Sequence, residues 1–244
     1  SGGKPGFLMA SDDNGETWEM VTGLTEHESR DTWNPGGAGL TVHTLLSDPD
    51  DPSKVWTAIS AAGVFATEDG GATWERRNTI GNSDHDCIGD CVHNMSYAAG
   101  GGDRIYQQNH HGVYRSNDGG RSWTPITNGL PSDFGFPIMA HPTDPDTVFV
   151  LPLNGGDKGR FPLDASAAVW RSRDAGETWE KTQNGLPTKN CYFTVLRQSM
   201  ASDANGGIYF GTNSGSIFAT FDEGDNWSEI ARHLPTVLCV ETAG

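Results

Sequence analysis

Short alternating runs of apolar and polar residues recur along this 244-residue chain, each cut off by Gly, Pro, Asp or Asn. Residues 41–46, 55–59, 63–67 and 74–76 form one quartet of strand-length runs. The quartet returns at 91–97, 104–108, 112–116 and 123–126, and again at 136–140, 147–151, 168–172 and 179–182. A last one occupies 192–197, 207–211, 216–220 and 227–230. Ahead of them, 6–10 and 18–21 make only half a unit. Period-two runs bounded by turn residues predict strands, and no stretch keeps helical spacing for long. The chain is expected to be all-β.

Between the third and fourth runs of each unit stands one repeated string. Residues 172–179 read SRDAGETW, and 11–18, 67–74, 116–123 and 220–227 read SDDNGETW, TEDGGATW, SNDGGRSW and TFDEGDNW. The copies start 56, 49, 56 and 48 residues apart. The carboxylates of Asp13, Asp69, Asp118, Asp174 and Asp222 are suited to accept backbone N–H groups further along a tight turn. The Gly supplies a positive φ, and Trp18, Trp74, Trp123, Trp179 and Trp227 are expected to bury a broad face beside a neighbouring repeat. A roughly 50-residue period of four strands predicts a β-propeller of five radial blades, mostly of four antiparallel strands. The tail 234–240 resembles the start of an innermost strand. Pairing it with the N-terminal half-unit would split the first blade between the two termini and remove an open sheet edge. Residues 1–244 then form one domain.

Strand parity divides the loops between two faces. The repeated strings and the Asp-Pro turns (48–52, for example) share one face, and the irregular segments 23–40, 78–90, 128–135, 152–167 and 184–191 share the other. Irregular loops on a rigid scaffold are where binding chemistry concentrates.

Charge then narrows the partners. The 32 acidic against 16 basic residues give a net charge of −16, which argues against nucleic acid, since phosphate binding needs a basic face. No apolar run approaches the roughly 18 residues needed to span a bilayer, so no membrane insertion is expected. Cys87, Cys91, Cys191 and Cys239 show no framework spacing, which favours a reducing cytoplasm. The sequence leaves the oligomeric state open.

The irregular face collects the candidate chemistry. His27, His43, His85, His93, His110, His111 and His233 fall on or near it. His43 and His93 occupy matching places in adjacent innermost strands, and the 107–111 segment QQNHH lies close by. His43, His93 and His110 are thus candidate ligands for a divalent metal. With His111, Trp33 and Arg160 they are also candidates for holding another ligand. A polar channel lining, or a Cys87–Cys91 disulfide, accounts for the same residues without one. Acids on this face (Glu26, Glu28, Asp31, Asp84, Asp86, Asp90, Asp133, Asp157, Asp164) include no recognisable catalytic pair, although two suitably separated carboxylates could cleave a glycosidic bond. Trp33, Phe134, Phe136 and Phe161 could offer platforms to a sugar ring.

The repeated string resembles the Asp-box, or bacterial neuraminidase repeat. With five copies over almost the whole chain, the sequence is similar to the superfamily of sialidases, xyloglucanases, sortilin-like receptors and photosystem II assembly factors. It looks most like bacterial Asp-box proteins labelled glycosyl hydrolase or exo-α-sialidase. Relatives of that kind often carry further N-terminal blade material, so the chain could also be a piece of a longer propeller. The Arg-Ile-Pro motif of true sialidases does not occur, the nearest string being Gly135-Phe136-Pro137-Ile138, and no catalytic residue is carried over. Two readings follow. One is a sialidase-like binding or scaffold module that takes a glycan or protein on the face opposite the boxes. The other is a glycosidase-like or metal-assisted hydrolase with a His/Asp-lined site at the channel mouth.

Overall fold

The structure is a computed structural model, and it describes residues 2–3, 5–33, 39–78 and 91–243. It is all-β, with five antiparallel sheets following one another in chain order. The first sheet holds β1 (Gly2–Gly3), β2 (Phe7–Ala10) and β3 (Glu19–Met20). The second is β4 (Val42–Ser47), β5 (Val55–Ile59), β6 (Gly63–Thr67) and β7 (Glu75–Arg76). The third is β8 (Val92–Tyr97), β9 (Ile105–Asn109), β10 (Gly112–Ser116) and β11 (Thr124–Pro125). The fourth is β12 (Gly135–Ala140), β13 (Val148–Pro152), β14 (Val169–Ser172) and β15 (Glu180–Thr182). The fifth is β16 (Met200–Ser202), β17 (Ile208–Gly211), β18 (Ile217–Thr220) and β19 (Ser228–Ala231). The first strands of successive sheets pack side by side, β1 on β4, β4 on β8, β8 on β12 and β12 on β16. No described helix is long and apolar enough to cross a membrane.

Apolar layers fill the spaces between consecutive sheets, as alternating strand faces require. Leu8, Ile59, Phe65 and Trp74 lie between the first two sheets. Trp56, Val64, Met95, Ile105 and Trp123 join the second to the third. Tyr106, Ile126, Ile138 and Val150 join the third to the fourth, and Phe149, Leu151, Phe210 and Trp227 the fourth to the fifth.

All five boxes fold alike. In the box at 172–179, Ser172 Oγ donates to Asp174 Oδ1 (2.7 Å) and accepts from Gly176 N (2.7 Å), and Asp174 then accepts from the N–H and hydroxyl of Thr178. Residues 11–17, 67–73, 116–122 and 220–226 repeat the pattern, Asn226 taking the Thr role in the last. Gly176 has a φ of 92°, and a Cβ there would meet Ile126 at 2.4 Å, so glycine is required twice over.

Three expectations are corrected. The box tryptophans are not uniformly buried: Trp74, Trp123 and Trp227 are, Trp179 is half-buried and Trp18 is 47% exposed. Among the described residues no sheet covers Trp18, and its indole N–H turns back to Gly15 O. The innermost strand of the last sheet is Met200–Ser202 rather than 192–197. There Thr194 pairs with Asn213 beyond the sheet end (2.8 and 2.9 Å), and a turn closed by Ser199 N to Leu196 O interrupts the ladder. Among the described residues the tail also forms no ladder with the first sheet. Cys239 bridges Gln198 in parallel, and Val240 N donates to Gln198 O (2.9 Å), so the tail lies along the fifth sheet. The third strand of the first sheet is supplied by Gly2–Gly3.

Candidate functional site: the histidine–arginine mouth

The site begins with a fault repeated in the sheets. Pairing of β4 with β5 slips between Val42 and Thr44, and pairing of β8 with β9 slips between Val92 and Asn94. A bulge re-aims the side chain it carries, and the residues at these two slips are His43 and His93. Each reaches the next sheet: His43 Nδ1 bonds Val92 O (2.6 Å) and His93 Nδ1 bonds Gly135 O (2.6 Å). A carbonyl oxygen only accepts, so both rings carry their proton on Nδ1 and direct Nε2 elsewhere.

His93 Nε2 meets His110 Nδ1 at 2.9 Å. His110 starts the tight β9–β10 connection, which is held by His111 N donating to Asn109 Oδ1 (2.7 Å). With Nε2 of His93 bare, His110 must donate from Nδ1 and leave its own Nε2 free to accept. His93 is fully buried, and burial pushes it down to about 3, only partly opposed by its bond to Gly135 O. His110 is half-buried and also lowered, first by burial and then by the nearby His111, Arg160 and Arg197. Both rings are therefore neutral near pH 7.

Phe134 and Phe136 form the floor, their rings 5.1 Å from His110 and 4.8 Å from His93 respectively. Above Phe136 stand two guanidinium groups, Arg197 at 4.7 Å and Arg160 at 5.8 Å, within cation–π range. Burial lowers Arg197, while Cys91 opposes that shift. Arg197 Nε is buried and has no hydrogen-bond partner among the described residues. Cys91, at the edge of this group, places its sulfur within 4.8 Å of a ring nitrogen of each of His93 and His110. Arg160 Nε donates to Gly156 O (3.2 Å), and its backbone carbonyl accepts from Thr194 Oγ1. Next to Arg160, Phe161 meets Tyr192 edge-on at 5.1 Å, and Tyr192 is 69% exposed.

A polar layer joins the same strands more deeply. Thr44 Oγ1 donates to Asn94 Oδ1 (2.8 Å), Asn94 Nδ2 to Arg197 O (2.7 Å) and Gln198 Nε2 to His43 O (2.7 Å). Beside it lies a cavity of about 520 Å³, lined by His43, Asn94, Ser96, Gln198, Ser202 and Glu241 among others.

The structure thus brings His93, His110, His111 and Arg160 together. His43 lies one sheet away and is not part of the close sulfur–nitrogen group. Trp33 is corrected outright. It is buried in the layer between the first two sheets, 4.7 Å from Phe65 and beneath Arg30, with its N–H on Ser29 Oγ (2.9 Å), so it offers a ligand no surface. Phe134 and Phe136 are likewise buried floor rather than platform. The exposed ring is Tyr192, which no motif singles out. Cys87 and the rest of 79–90, including His85, Asp84, Asp86 and Asp90, lie outside the described residues, and the Cys87–Cys91 disulfide with them.

No family model matches the chain. Among curated proteins it is 32% identical over 133 residues to a xyloglucanase from Paenibacillus sp, a match covering 49% of this chain and 12% of that protein. It is 24% identical over 209 residues to an oligoxyloglucan-reducing end-specific xyloglucanase from Emericella nidulans, covering 71% of this chain and 24% of the other. The chain thus spans about an eighth to a quarter of the length of these relatives. The GH74 xyloglucanase from Xanthomonas campestris superposes with a TM-score of 0.65 at 15% identity, over 92% of this chain and 36% of that one. YCF48 from Cyanidioschyzon merolae superposes at 0.53 and 18% identity, over 78% and 56%. These likenesses make the fold that of β-propeller proteins.

Proposed function

We propose that this chain is a glycoside-hydrolase-like propeller unit that engages a xyloglucan-type polysaccharide on the face opposite the boxes. The observation that carries the reading is the 32% identity to a xyloglucanase over about half of the chain. It narrows the expected ligand from an unspecified glycan or protein to a xyloglucan-type polysaccharide. The finer reading of the architecture is five sheets serving as consecutive blades of one propeller domain, or of part of a longer one. Exposed Trp18 and Met20 on the first sheet and Ile230 on the last favour further packing there.

The mouth has the chemistry that sugar recognition needs. Tyr192 and Phe161 offer an aromatic face to ring C–H groups, Arg160 and Arg197 offer planar donors to hydroxyls, and His110 Nε2 offers an acceptor. The binding-module reading and the hydrolase reading share this surface. They part on cleavage, which needs two carboxylates flanking the scissile bond.

Incubation of the protein with xyloglucan, with product reducing ends and retained polysaccharide measured together, tests the proposal. Retention with release of reducing ends supports the hydrolase. Retention alone supports a binding module, and neither, alongside retention of an unrelated acidic glycan, refutes the xyloglucan reading.

A further inference from the structure

The cluster at the inner end of the mouth goes beyond glycan binding. Cys91 Sγ and one ring nitrogen from each of His93 and His110 lie mutually within 4.8 Å, and His93 Nε2 stands 2.9 Å from His110 Nδ1. Among the described residues no other group of three His, Cys, Asp or Glu side chains comes together in this way.

We propose that Cys91, His93 and His110 form a binding site for a zinc-class divalent metal, with one coordination position left open towards the mouth. The donor set is one thiolate and two imidazoles, the mixture that borderline-soft first-row ions prefer over magnesium or calcium. His93 is already oriented for the task. Its Nδ1–H is held by Gly135 O, the kind of bond that fixes a ligating ring and aims Nε2 at the metal. The bulge at 92–94 supplies that aim, and the short β9–β10 connection brings His110 to face it.

Without metal, the 2.9 Å contact requires a proton on His110 Nδ1. Metal entry replaces this shared proton, His110 carrying its hydrogen on Nε2 instead, and the Cys91 thiol gives up its proton to solvent as the sulfur–metal bond forms. The two nitrogens move apart slightly to take bonds of about 2.0–2.1 Å each. Arg197 stands close enough to Cys91 to interact with it electrostatically. Its unpartnered Nε is placed to hold a hydroxide, carboxylate or other anion in the fourth position. Three protein ligands with one open position is the pattern of a reactive rather than a purely structural site.

The test uses the intact chain, kept reduced without thiols, and cobalt(II) as a spectroscopic stand-in for zinc. One equivalent of cobalt is expected to give a sulfur-to-cobalt charge-transfer band that one equivalent of zinc then abolishes. Cys91→Ser should remove the band. His110→Ala, at a half-buried position chosen because His93 is part of the packed floor, should weaken binding by at least about tenfold. His111→Ala should leave it unchanged. Absence of the band in the wild-type protein, or its persistence in Cys91→Ser, would overturn the proposal, the latter by assigning the sulfur to another cysteine. Unchanged affinity in a His110→Ala variant with a wild-type melting profile would overturn it as well.

Discussion

The indole N–H of Trp123 donates to Arg77 O at 2.9 Å, so the box of the third sheet is tied to the chain leaving the second. Trp179 makes the equivalent bond to Ile126 O (2.7 Å), and Trp227 reaches Thr182 (3.4 Å). Arg77 is buried too, with Glu68 and Glu75 as partners at 2.8 and 2.9 Å. A box therefore does more than close its own hairpin. In these three copies it latches one sheet onto the sheet before it, while the indoles of Trp18 and Trp74 bond the glycine of their own box.

Trp123→Ala should destabilise the protein by about 3–5 kcal/mol, the usual cost of emptying a large aromatic site in a core. Trp18→Ala, at a position 47% exposed, should cost under about 1 kcal/mol. Denaturant unfolding of the two variants compares them directly. Equal losses would contradict the latch, because both residues occupy the same place in the repeat.

Two glycines give a second contrast. Gly185 has a φ of 85°, and a Cβ there would stand 1.9 Å from Trp227 O, whereas Gly155 has a φ of 109° with nothing within 4 Å. Gly155→Ala should cost only the left-handed backbone penalty, about 1–2 kcal/mol. Gly185→Ala adds a collision with backbone and should cost clearly more. Matched unfolding midpoints for the two variants would show that the 184–227 junction yields freely.

The boxes also set an acid limit on stability. Asp13 and Asp69 are both lowered to about 2, chiefly by the hydroxyl and N–H of Thr17 and Thr73. Their folded values lie below the ordinary aspartate value of 3.8, so the unfolded chain binds protons first as pH falls. The stabilisation is complete above about pH 4, shrinks below it, and is gone once pH has passed through 2. Carboxyl NMR titration should show Asp69 moving back towards 3.8 in Thr73→Val. An unmoved titration would place the cause elsewhere.

Much of the architecture was legible because its causes are local. Alternation marked the strands, and the box string marked the hairpins through Asp174, Gly176 and their equivalents. What escaped depends on contacts between distant segments. The strand at 192–197 carries a fitting pattern, yet Asn213 captures Thr194, and the ladder starts later, at Met200. The tail follows an inner-strand pattern as well, but its partner is Gln198. Matching positions were enough to relate His43 to His93. They could not reveal that each sits on a bulge and bonds the next sheet, which is why Cys91, not His43, completes the close group. Trp33 looked like a platform and is core. Tyr192, carrying no motif, is the exposed ring.

The proposed binding of a neutral glycan on the face of Tyr192, Phe161 and Arg160 is open to direct measurement. Backbone and side-chain NMR shifts, followed while a xyloglucan oligosaccharide is added, test it most directly. Saturable shifts are expected at Tyr192, Phe161, Arg160 and His110, lost in Tyr192→Ala, with the signals of the boxes at Asp69, Asp118 and Asp174 unmoved. Shifts confined to the boxes, or none at saturating oligosaccharide, would contradict it.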